Sequence, residues 1–132
     1  MNGETNLAAL LAAMKPRLNE GQYVFCSIND IGSIDFNEVL CSFREDEGLT
    51  IIIKKETALK LGLEYRFIAS WITLTVHSSL EAVGLTAAFS KALADKGISC
   101  NIVSALYHDH IFVPVDDTDR VMETLRRLSV TF

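Results

Sequence analysis

Residues 70–115 read SWITLTVHSSLEAVGLTAAFSKALADKGISCNIVSALYHDHIFVPV. Ser70–Val76 is rich in apolar and β-branched residues and predicts a strand. Ser79–Lys96 predicts a long helix. Leu85, Ala88, Phe89, Ala92 and Leu93 recur at i, i+3, i+4, i+7 and i+8, while Thr86, Ser90, Lys91 and Asp95 face away. Gly97 supplies its stop. Ile98–Leu106 predicts a strand, Tyr107–Asp109 a turn and His110–Val115 another strand. Asp116 or Thr118 then caps a helix to about Arg127, with Val121, Leu125 and Leu128 inward, and Ser129–Phe132 predicts a last strand. The order is β-α-β-β-α-β, the split βαβ pattern of a ferredoxin-like α+β fold.

The first half is a reduced version of the same plan. Residues 5–14 show a short helical pattern through Leu7, Leu10, Leu11 and Met14, stopped by Pro16. Strands are predicted at Gln22–Ile28, Val39–Arg44 and Leu49–Ile53, the last with an Ile51-Ile52-Ile53 run that predicts burial on both faces. Residues 30–35 read as a loop and 45–48 as a tight turn, with Gly48 free to take positive φ. Glu56–Leu61 reads as a helix closed by Gly62. Thr50 corresponds to His110 at an offset of 60, but Tyr23 corresponds to Trp71 at an offset of only 48. The deficit is about one three-turn helix. The first half therefore lacks its first helix, with loop 29–38 in its place, and the N-terminal helix is expected to cover the vacated sheet face. This divides the chain into a degenerate domain at 1–68, including the N-terminal helix, and a complete one at 69–132.

Composition narrows the function. The chain has 132 residues, is 49% hydrophobic, and carries 12 basic against 17 acidic side chains, a net charge of −5. Such a chain folds, and its acidity argues against a nucleic-acid or anionic-membrane surface. No apolar run approaches the roughly 20 residues a membrane helix needs. The N-terminal stretch lacks the features of a secretion signal, which predicts a cytoplasmic protein. Cys26, Cys41 and Cys100 form an odd, widely spaced set within apolar runs, so reduced, buried thiols are expected. There is no GxGxxG, GKS/T, HExxH or GxSxG motif, hence no predicted catalytic residue and no predicted cofactor.

The segment 70–115 resembles an ACT domain. The resemblance rests on the first strand, on the helix-opening glycine of Val83-Gly84-Leu85-Thr86-Ala87-Ala88, and on Ala92-Leu93-Ala94-Asp95-Lys96-Gly97-Ile98 at the turn into the second strand. Aspartokinase regulatory domains and amino-acid-sensing modules share this arrangement. The strings TVHSSLEAVGLTAA and YHDHIFVP, with FREDEGLTIII in the first half, look like small bacterial proteins built of tandem ACT domains, to which the cytosolic arginine sensors of animals are related. The resemblance implies two ferredoxin-like ACT domains in tandem, the first degenerate. It also implies a small-molecule ligand, an amino acid, and pairing at sheet edges, as a homodimer or between the two halves. One departure stands out: many ACT domains have Gly-Ile-Asn-Ile where this chain has Gly97-Ile98-Ser99-Cys100, with the asparagine displaced to Asn101.

ACT domains that bind amino acids use the loop between the first strand and helix, here His77–Gly84. A helix N-terminus offers unpaired N–H groups and partial positive charge to a carboxylate. Gly84, between Val83 and Leu85, lets a ligand or backbone come close. Ser78 and Ser79 add hydroxyls, and Glu81 can meet an ammonium group. The alternative is that Ser78 or Ser79 only caps the helix and Glu81 occupies its favourable first turn. Ser99, Asn101 and Val103 share a face by strand periodicity, so Ser99 and Asn101 join the candidate set. The end of the first strand neighbours the start of the third in this fold. That gathers all three histidines, His77, His108 and His110, around Asp109, either as ligand or subunit contacts or as plain surface and turn histidines. The leading reading is an amino-acid-binding regulatory module without metal. The alternatives are a structural adaptor without ligand and a metal-binding protein using the histidine cluster.

Overall fold

The computed structural model describes residues 6–75 and 84–131. The chain forms two compact units, Gly21–Ala69 and a larger one made of residues 1–20 with 70–132, so the smaller is inserted in the sequence of the larger.

The smaller unit contains β2 (Tyr23–Ile28), β3 (Val39–Glu45), β4 (Gly48–Lys54) and α2 (Lys55–Leu61), and it closes on the start of β5 (Ile68–Leu74). β2 pairs antiparallel with β4 from Tyr23↔Lys54 to Ile28↔Leu49, and β3 pairs antiparallel with β4. Tyr23 and Val24 also pair with Ala69 and Ile68. One sheet face carries Val24, Cys26, Ile28, Ile51 and Ile53 into a core with Ile34 and Ala58. Ile52 points the other way and is also buried, as the isoleucine run predicts. Between β2 and β3 there is no α-helix. Two single 3₁₀ turns, Ile31–Ser33 and Phe36–Glu38, fill the interval, each opened by an aspartate side chain accepting a backbone N–H two residues on, Asp30 from Gly32 and Asp35 from Asn37. The helix deficit read from the 48-residue offset is thus real. Gly62 ends α2 at φ 66°.

The larger unit contains α1 (Leu7–Ala13), β1 (Pro16–Leu18), the rest of β5, α3 (Leu85–Ala94), β6 (Asn101–Ser104), β7 (Asp109–Pro114) and α4 (Thr118–Thr131). Its sheet order is β1-β5-β7-β6. This is the ferredoxin-like order, with one substitution. The fourth strand position is taken by β1, which pairs antiparallel with β5 through Pro16↔Leu74, Arg17↔Thr73 and Leu18↔Ile72. The predicted terminal strand at 129–132 is corrected: α4 continues to Thr131. No breaker follows Arg127, and Leu128 extends the Val121–Leu125 stripe onto the core. Pro16 tolerates its place because it opens an edge strand, where its missing N–H costs no ladder bond.

Three further corrections follow. α1 does not cover the smaller unit's sheet. Asn6 caps it by accepting the Ala9 N–H at 3.0 Å, and Leu10, Leu11 and Met14 are buried with Ile72, Leu74, Leu85, Phe89, Leu93 and Leu125. Two apolar side chains on a seven-residue helix and a third at its C-cap are stabilised by whichever core accepts them, and this core is the larger unit's. The predicted helix 79–96 begins only at Leu85, because Gly84 at φ 98° is left-handed and cannot continue a helix; residues 79–83 lie outside the described residues. The predicted strand 98–106 shrinks to Asn101–Ser104, and Asp109, placed in the turn by sequence, opens β7 opposite Ser104.

Candidate ligand-binding site

Of the candidate residues, His77, Ser78, Ser79, Glu81 and Val83 lie outside the described residues. The described remainder falls in two places. The first is the N-terminus of α3. Gly84 is its N-cap, with φ 98° and ψ −20°, and its carbonyl accepts the Ala88 N–H at 2.9 Å. No side chain of the N-cap residue satisfies the first-turn N–H groups, because glycine has none to offer. Leu85 turns into the core, 3% exposed. It anchors the helix start rather than lining an open surface.

The second place is the sheet around β7. Antiparallel pairing sets Asn101 opposite Phe112 and Val103 opposite His110, so these four side chains share one face. The Asn101 amide donates to the Phe112 carbonyl at 3.5 Å. Ser99 is corrected: it lies exposed before β6 starts, so strand periodicity does not carry it onto that face. His108 is half-buried, and its carbonyl accepts the Ala105 N–H at 3.0 Å. Asp109 is buried, 7% exposed. His110 meets Trp71 and Thr73 of β5, while its predicted neighbour His77 lies outside the described residues. Its Nδ1 accepts the indole N–H of Trp71 at 3.0 Å and lies 3.1 Å from the Thr73 hydroxyl. Thr73 is fully buried, and its Oγ1 accepts from the Asn19 side-chain amide at 2.9 Å. Asn19 also donates through its backbone N–H to the Trp71 carbonyl at 2.9 Å.

An indole N–H can only donate. Nδ1 of His110 must therefore hold a lone pair, which assigns the proton of the neutral ring to Nε2. Burial lowers the His110 pKa from its ordinary value, the neighbouring His108 and Arg17 lower it further, and Asp109 opposes them. The same bond opposes metal binding at His110. A metal on Nε2 moves the proton to Nδ1, against the indole N–H, and a metal on Nδ1 displaces the indole. Among the described residues no group of three or more His, Cys, Asp or Glu side chains is arranged to hold a metal ion.

Two family models, both described as the ACT domain, match residues 2–70 and 66–127. The chain belongs to the ACT-domain family. A protein of unknown function from Vibrio cholerae is 45% identical over 93% of this chain and 95% of its own, with a TM-score of 0.84. A protein from Agrobacterium tumefaciens shares the fold at 16% identity, covering 88% of this chain and 89% of its own, with a TM-score of 0.74. The ligand-free regulatory subunit of aspartate kinase from Thermus thermophilus does so at 10% identity, 86% and 95% coverage and a TM-score of 0.64. No functionally curated protein matches the chain in sequence.

Within this ACT pair, sequence reasoning missed Trp71 and Thr73 as partners of His110, and Asn19 as the partner of Thr73. A signal was present: Trp71 and Thr73 alternate with Ile72 and Leu74, which face the core, so the former pair had to share the opposite face. Of the three free thiols, Cys26 is buried, as expected, while Cys41 and Cys100 are only partly buried. Burial raises the Cys26 pKa and pushes that of Cys100 up to about 11, leaving little thiolate at neutral pH. A cleft of about 200 Å³ is lined by Lys96, Arg120, Glu123, Thr124 and Arg127, with Arg120 paired to Asp117 at 3.0 Å and Arg127 to Glu123 at 2.6 Å. No helix among the described residues is long and apolar enough to cross a membrane.

Proposed function

We propose that this tandem ACT protein is a regulatory module that binds a free amino acid at residues 77–85, with Asn101 and the His108–His110 segment as further contacts. The observation that carries this reading is the N-terminus of α3. It opens on Gly84 at φ 98° with no side-chain cap, in a family whose structural neighbours include regulatory subunits of aspartate kinase. The ligand carboxylate is assigned to the first-turn N–H groups, with Ser78 and Ser79 beside it, and the ammonium to Glu81. The repeat is divided at 68/69, the degenerate half serving as scaffold and the complete half as the binding domain. The protein is placed in the cytoplasm, where its three thiols stay reduced. It acts as a homodimer through end strands such as β3, whose Phe43 is 71% exposed. Binding is then read out by rearrangement of that dimer or by a partner.

Thermal unfolding of the full chain against each of the twenty amino acids tests this. One or a few related amino acids are expected to raise Tm by several degrees. A ligand at a hundred times its Kd stabilises the native state by about 2.7 kcal/mol. No shift with any of the twenty contradicts the reading and favours the adaptor.

A further inference from the structure

We propose that Trp71 and His110 form a proton-triggered latch: the indole is held on the imidazole while the ring is neutral and is released when the ring takes a proton. Nδ1 of His110 receives the Trp71 N–H at 3.0 Å. Protonation puts an N–H on Nδ1, and two donors then face each other across a hydrogen-bond distance. Thr73 can adapt, because its oxygen is able to accept from His110 while still accepting from Asn19. Trp71 cannot adapt, because the indole has no acceptor to offer, so the indole is the group that moves. The rings lie with centroids 5.8 Å apart at 45°, close enough for the movement to alter the indole's surroundings.

The groups facing the ring bear on where the latch opens. From β7, His108 disfavours the cation and Asp109 favours it; from β1, Arg17 disfavours it. Trp71 and Thr73 on β5 and Val103 on β6 carry no charge. Burial acts in the same direction as His108 and Arg17. The native state therefore binds fewer protons at His110 than the unfolded chain. The stability tied to the latch is complete above the ordinary histidine pKa of about 6.5 and is lost as pH falls from there through the lower folded value.

Trp71 is the chain's one tryptophan, so its fluorescence reads the latch directly. The test combines ¹⁵N-histidine NMR of the full wild-type chain with fluorescence titration of wild type and His110→Asn. Asparagine places an acceptor oxygen near the position of Nδ1 and does not titrate. The expected results are three: the Nε2–H tautomer for His110 at about pH 8, a one-proton change in Trp71 emission with a midpoint below about 6.5, and flat emission in His110→Asn down to about pH 4.5. The Nδ1–H tautomer overturns the proposal. So does a titration that persists in His110→Asn, which assigns the signal to another group, or loss of far-ultraviolet circular dichroism at the same midpoint, which assigns it to unfolding.

Discussion

Leu11→Ala is expected to destabilise the protein by about 2–5 kcal/mol and to lower Tm by roughly 8–20 °C. Leu11 is fully buried with Leu10, Met14, Phe89 and Leu125, so truncation removes contacts and leaves a cavity that a close-packed core closes only in part. Leu7 on the same helix is 37% exposed, and Leu7→Ala should cost less than about 1 kcal/mol. The contrast distinguishes a helix that belongs to a core from one that rests on a surface. A loss within about 0.5 kcal/mol for Leu11→Ala would remove α1 from the larger unit's core.

Gly84→Val carries the second large effect. A non-glycine residue forced to φ 98° costs about 1–3 kcal/mol, and a β-branched one falls at the upper end. A Cβ at this position also comes within 3.2 Å of the Leu7 Cδ2, but Leu7 is flexible and partly exposed, so backbone strain dominates. Valine further crowds the N–H groups assigned to the ligand carboxylate. The variant is therefore expected to lose stability and, measured against its own baseline, to lose the amino-acid-dependent rise in Tm. Gly97→Ala separates the two losses. Gly97 has φ 73° and nothing within 4 Å of its Cβ position, so this variant should be strained yet keep the ligand response. If Gly84→Val keeps the response, the carboxylate does not sit on α3.

What was legible in the sequence follows from what local patterns encode. The i, i+3, i+4 series from Leu85 to Leu93 and the run at 51–53 each state a period and a burial, and both appear in the structure. The missing helix was legible because it is a difference in numbering. The fourth strand of the larger unit was not. Pro16-Arg17-Leu18 is three residues long, begins with proline and carries no alternation; only the vacant edge of β5 makes it a strand. Nor could the pattern at 7–14 say which core receives it, since an apolar stripe is satisfied by any complementary face. At the candidate site, Gly84 was singled out as the glycine opening the helix, but its left-handed backbone was missed, since the predicted helix ran through it from Ser79. Ser99 was misplaced by extending strand periodicity two residues before the strand begins. The His110 network was hidden because it depends on which residues of β5 lie beside β7, and side-chain periodicity alone does not set that register.

Binding of an amino acid at the start of α3 is read out by a ¹H–¹⁵N NMR titration of the 132-residue chain with the amino acid that raises Tm most. Saturable shifts of the Gly84, Leu85, Thr86 and Ala87 amides are expected, with smaller ones at Asn101 and His108–His110. Shifts confined to residues 21–69, or none with any of the twenty amino acids, would contradict binding there.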